Sequence, residues 1–150
     1  MPIFSSKGYT LPETIIVLLL LSVLAGVPFI HFSSAYESTR EDHFVQQLQA
    51  DLVYSQHYAY THNTSTRLDW KEEEGYYAIS GNDRSEPLIR RTIPEGFFSP
   101  TASKLQFHTL SYTGKGNIKK AGTISLHGPS RSYRFIFQIG RGRLRVETSP

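Results

Sequence analysis

The sequence predicts an α+β chain, one long N-terminal helix followed by antiparallel β-structure, and three observations carry that prediction. From Thr14 to Ile30 no residue is charged. Between Phe44 and Ala59 the apolar residues recur at helical spacing, and beyond Asn63 the texture changes to short runs rich in β-branched and aromatic residues separated by turn chemistry. Helix first and strands afterwards is the α+β order.

The uncharged run is long enough for a membrane-spanning helix, which needs roughly 17 to 25 such residues. Pro12 falls in the first helical turn, where its missing N–H would be unpaired in any case. Glu13 heads the run, and a charged side chain in lipid costs about 2.5 to 3.5 kcal/mol, so its partner is expected to be an amine. An ordinary signal peptide carries its small-residue cleavage site after the apolar core; here the small residue, Gly8, precedes it. Gly26 and Pro28 stand near the far end, where a proline removes one backbone bond and kinks a helix. That kink is either a functional bend or an incidental one at the membrane exit.

From Ala35 to His62 the helix is expected to continue outward. Phe44, Leu48 and Leu52 lie four apart, Val45 stands beside them and Ala59 seven beyond Leu52, so they share one face. Glu41, Asp42, Gln46, Gln49 and Asp51 are expected largely off it. Strands are expected near Thr66–Trp70, Tyr76–Ser80, Pro87–Ile93, Lys104–His108, Gly122–His127, Tyr133–Ile139 and Arg143–Glu147. Lys71-Glu72-Glu73-Glu74-Gly75 and Ser80-Gly81-Asn82-Asp83 read as hairpin loops, and Gly140-Arg141-Gly142 as the turn of a C-terminal hairpin.

A chain of 150 residues suits one modest domain plus an anchor. It holds no cysteine, so neither a disulfide nor a thiolate contributes. Charge is uneven: Ser33–His62 carries one Arg against four acids, whereas Thr101–Pro150 carries nine basic residues against Glu147. The six histidines, His31, His43, His57, His62, His108 and His127, form no tight ligand motif, and His57 and His62 are five apart and not four. There is no nucleophile elbow, phosphate loop or dinucleotide fingerprint. Neither an enzyme, a metal site nor a cofactor is implied.

Gly8, Thr10, Leu11 and Glu13, followed by the apolar helix, resemble the class III leader of type IV pilins and pseudopilins. The resemblance implies a prepilin peptidase that cuts after Gly8 and methylates the new N-terminus at Tyr9. It implies a filament in which Glu13 neutralises the N-terminal amine of a neighbouring subunit. It divides the chain into a leader (1–8), a transmembrane and filament-core helix (9–32), its amphipathic continuation (33–62) and a β-sheet domain (63–150). The short, cysteine-free sheet domain is most similar to competence pseudopilins, which serve DNA uptake, with the minor pseudopilins of type II secretion next. The partners so implied are the peptidase, other pseudopilins and the membrane. The localisation so implied is single-pass, N-terminus inside and sheet domain outside; Lys7 is the one basic residue before the helix.

Two other readings stay open. The leader also fits a signal anchor whose Glu13 reaches the headgroups. The basic end, Arg131, Arg134, Arg141, Arg143 and Arg145 beside Tyr133 and other aromatics, has the chemistry to grip DNA phosphates and stack on bases. Arg141, Arg143 and Arg145 alternate, so a strand would put them on one face; such a face also serves to pair with acids of adjacent subunits.

Overall fold

The computed structural model describes residues 8, 10–100, 105–138 and 143–149, with the side chains of 24–37 excepted. The chain divides into two units, residues 1–39 and 40–150. One helix, α1 (Leu11–Thr61), contributes to both.

In the first unit α1 begins where Thr10 accepts from the backbone N–H groups of Glu13 (3.0 Å) and Thr14 (3.2 Å). Thr14 and Ser22 return their hydroxyls to carbonyls of the preceding turn, Thr14 to Leu11 at 2.8 Å and Ser22 to Leu18 and Leu19 at 2.9 Å. Such bonds leave no hydroxyl needing water. The helical assignment is unbroken through Gly26 and Pro28. Among the described residues no helix is long and apolar enough to cross a membrane; the far part of the expected span falls on 24–37, whose side chains lie outside the description.

In the second unit the strands are β1 (Thr66–Lys71), β2 (Tyr76–Gly81), β3 (Ile89–Thr92), β4 (Ser111–Tyr112), β5 (Gly122–His127), β6 (Ser132–Phe137) and β7 (Leu144–Ser149). They form two antiparallel sheets, ordered β3-β2-β1-β4 and β5-β6-β7, where the sequence suggested one. Both expected hairpins beyond α1 pair as read, although residues 82–88 make the second connection longer than a tight turn. The C-terminal hairpin also pairs, Phe135 opposite Val146 and Phe137 opposite Leu144; its turn, Gly140-Arg141-Gly142, lies outside the described residues.

The strand expected at Lys104–His108 does not form. Lys104 is outside the described residues, and Phe107–Thr109 is a single 3-10 turn closed by Thr109, whose Oγ1 donates to the Gln106 carbonyl at 2.9 Å. A 3-10 turn puts residues three apart on one side, which lets both Phe107 and Leu110 be buried. Alternation would have buried Phe107 and exposed Leu110.

Both sheets and α1 share one core. Phe44, Leu48, Leu52 and Ala59 of the helix meet Leu68, Tyr77 and Ile79 of the first sheet and Ile124, Tyr133 and Phe135 of the second. Trp70 stacks on Phe107 at 4.6 Å, and Phe107 meets Phe135 edge-on at 5.5 Å, so the 3-10 turn joins the two sheets.

The expectation that Glu41 and Asp51 lie off the buried face is overturned: they are 2% and 5% exposed. At about 100° per residue Glu41 projects within the arc that holds Phe44, Leu48, Leu52 and Ala59, and Asp51 lies about 20° beyond its edge, beside Phe44. Their carboxylates are tolerated there because each is hydrogen-bonded. Glu41 accepts the Ser130 backbone N–H at 2.8 Å and the Tyr133 hydroxyl at 3.4 Å. Asp51 accepts the Tyr77 hydroxyl at 2.7 Å and the Arg91 guanidinium at 2.8 and 3.3 Å.

Candidate functional site

The N-terminal residues singled out by the sequence are placed as follows. Gly8 is exposed with open space around it, so nothing described would block a protease there. Tyr9 lies outside the described residues. Glu13 stands exposed in the first turn of α1, and no described residue hydrogen-bonds or ion-pairs with its carboxylate. A carboxylate there also faces the positive end of the helix dipole. Behind it the apolar side chains have no cover: Ile15, Ile16, Leu18, Leu19, Leu20, Leu21 and Val23 are each at least half exposed. Monomeric soluble proteins rarely show an apolar patch that large. Among the described residues this end of the chain thus carries one carboxylate, Glu13, at the head of a run of exposed apolar side chains.

The alternating arginines are described only in part. Only Arg145 of the three alternating residues lies in β7; Arg143 precedes the strand and Arg141 lies outside the described residues. Arg134 on β6 and Glu147 on β7 are register partners and ion-pair at 3.1 Å, and Arg145 reaches the same carboxylate at 3.2 Å. Arg131 in the β5–β6 loop pairs with Asp42 at 3.4 Å. These contacts are exposed and each contributes under about 1 kcal/mol, yet they take up part of the charge that a polyanion would need.

The sequence reading missed the polar anchors that fasten α1 to the sheets. Asp51 draws Tyr77 and Arg91 onto the helix from β2 and β3, and its carboxylate raises the Arg91 pKa above the ordinary guanidinium value. Burial, and then Asp51, push the Tyr77 hydroxyl well above the usual tyrosine range. Tyr133 is raised in the same way, by burial first and by Asp42 second. Angular position on the helix was the signal that could have found Glu41 and Asp51. Among the described residues no group of three or more His, Asp or Glu converges as a metal site.

A helix with a bare apolar start, whose residues from Phe44 to Ala59 are buried against two antiparallel sheets, makes this an α+β chain consistent with a pilin-like fold. No family model matches the sequence, and no solved structure matches the fold. The chain is 27% identical over 141 residues to the competence protein ComGD of Bacillus subtilis (strain 168), covering 94% of this chain and 93% of that protein. It is thus similar, over nearly its whole length, to a ComGD-like pseudopilin.

Proposed function

We propose that the protein is a minor pseudopilin of a competence system, a structural subunit of a short type IV pilus-like filament needed for DNA uptake. The likeness to ComGD along nearly the entire chain carries this reading. The leader supports it: Gly8 is accessible, and Glu13 is exposed at the head of the apolar helix. In this reading the precursor rests in the membrane through residues 9–32, with its N-terminus inside and the sheet domain outside. Prepilin peptidase cuts after Gly8 and methylates Tyr9. The freed amine of one subunit then meets Glu13 of the next, and the apolar rods pack together as the filament core. Other pseudopilins are the partners, and the sheet domain sets their order.

The N-terminal peptide, weighed from cells with and without a prepilin peptidase, should start at Tyr9 only when the enzyme is present. A start at Met1, or a cut beyond Ala25, overturns the reading. Glu13→Ala should leave cleavage intact and lower transformation on the order of a hundredfold, the factor equivalent to ~2.5–3.5 kcal/mol for an unpaired charge in lipid. Undiminished transformation by that variant removes the amine-pairing role.

A further inference from the structure

The solvent-facing side of α1 in the second unit is unusual in its chemistry. From His43 to His62 the helix has a single charged residue, Asp51, and that one is buried. A helix face turned to water is ordinarily rich in charge. This one presents Val53, Tyr54 and Tyr60, which are 40%, 50% and 69% exposed, with His57 exposed among them.

A loop lies against the end of that face. The backbone of Thr113–Asn117 closes on itself, Gly116 donating to Thr113 and Thr113 to Asn117, both at 2.8 Å. Gln56 Nε2 donates to the Gly116 carbonyl at 2.8 Å. Gly116 takes φ +72° where a Cβ would sit 3.3 Å from that of Tyr60, so glycine lets the loop approach the helix. The result is an open cleft of about 560 Å³ with His57 and Tyr60 on the helix side and Lys115 and Asn117 on the loop side.

Arg131, Arg134 and Arg145 are paired with carboxylates, whereas Arg143, Lys115, Lys119 and Lys120 are exposed and none of these four forms an ion pair among the described residues; of them Lys115 lines the cleft. No acidic residue occurs between Gly96 and Val146. Exposed aromatic rings beside unpaired cations are the two components of single-strand recognition, rings stacking on bases and amines following phosphates.

We propose that this cleft and the lysines beyond it bind single-stranded nucleic acid. A base stacks on Tyr60, and the phosphates run along Lys115, Lys119 and Lys120. The site is independent of filament assembly, so it stands or falls separately from the pseudopilin reading.

The test is fluorescence anisotropy with a labelled 20-nucleotide oligothymidine, titrated with the full chain in non-ionic detergent micelles. Saturable binding is expected at low salt, with a log–log salt slope of about −2 from three phosphates at ~0.7 each. Replacing Lys115, Lys119 and Lys120 together by Ala should flatten that slope. Tyr60→Ala should leave the slope in place and weaken binding about 5- to 150-fold, equivalent to the ~1–3 kcal/mol of one stacked base. Arg134→Ala with Arg145→Ala should change affinity less than about twofold. Ala at position 60 retains the Cβ beside Gly116, and Trp70 emission reports whether the fold persists.

Absence of saturable binding at the lowest salt overturns the proposal. So does an equal loss in the arginine variant, or full affinity after Tyr60→Ala. If light scattering shows self-association that the Tyr60 variant abolishes, with no oligonucleotide bound, the face is a contact between copies and the proposal is wrong.

Discussion

Removal of the Asp51 carboxylate tests how α1 is held to its sheets. Asp51→Ala leaves the hydroxyl of Tyr77, a residue 0% exposed, without its 2.7 Å acceptor, and a buried orphan donor costs about 1–3 kcal/mol. It also frees the guanidinium of Arg91, but that side chain is 42% exposed. Rehydration therefore offsets most of the loss, leaving about 1 kcal/mol. The expected total is about 2–4 kcal/mol, a fall in Tm of roughly 10 °C for a domain of this size. Urea unfolding of the full chain in detergent micelles measures it through Trp70, the sole tryptophan, which stacks on Phe107 at 4.6 Å and on Tyr77 at 5.9 Å. The double variant Asp51→Ala/Tyr77→Phe should recover about 1 kcal/mol, because removing donor and acceptor together leaves no orphan. A cost below about 0.5 kcal/mol for the single variant, or strict additivity in the cycle, would refute the anchoring argument.

Two further perturbations follow from the same core. Leu48 is 0% exposed at the centre of the helix face, so Leu48→Ala should cost about 2–5 kcal/mol in the same urea assay. Tyr77, Tyr112 and Tyr133 are all raised above the ordinary tyrosine value of 10.0, chiefly by burial. Below pH 10 both states keep these hydroxyls protonated and stability does not depend on them. Above it the unfolded chain ionises first, so stability should fall with rising pH by up to about 1.4 kcal/mol per unit for each tyrosine. Ultraviolet titration should show these three ionising only as the fold opens; early ionisation of all the tyrosines would contradict it.

Local pattern decided much of this protein before any folding. The helix needed only the uncharged run and the spacing of Phe44, Leu48 and Leu52. β1, β2, β5 and β6 needed only alternation between turns, because their partners are near in sequence. The bare apolar start with Gly8 and Glu13 was legible for the same reason, since it depends on contiguous residues. The candidate nucleic-acid cleft was not, because Tyr60 and Lys115 are distant in sequence and meet only when the 113–117 loop closes on the helix end.

The tertiary structure decided the rest. It split seven strands into two sheets, because one helix face wide enough to reach both offers a shared core. It turned the stretch at Phe107 into a 3-10 turn so that Phe107 and Leu110 could both be buried. It drew Glu41 and Asp51 inside, a choice no composition rule makes, since a carboxylate is buried only where distant donors such as Ser130, Tyr77 and Arg91 already wait. It set Arg131 against Asp42, and Arg134 and Arg145 against Glu147. Charge counted along a sequence says how much is present; which charges remain free for a partner depends on what the fold places beside them.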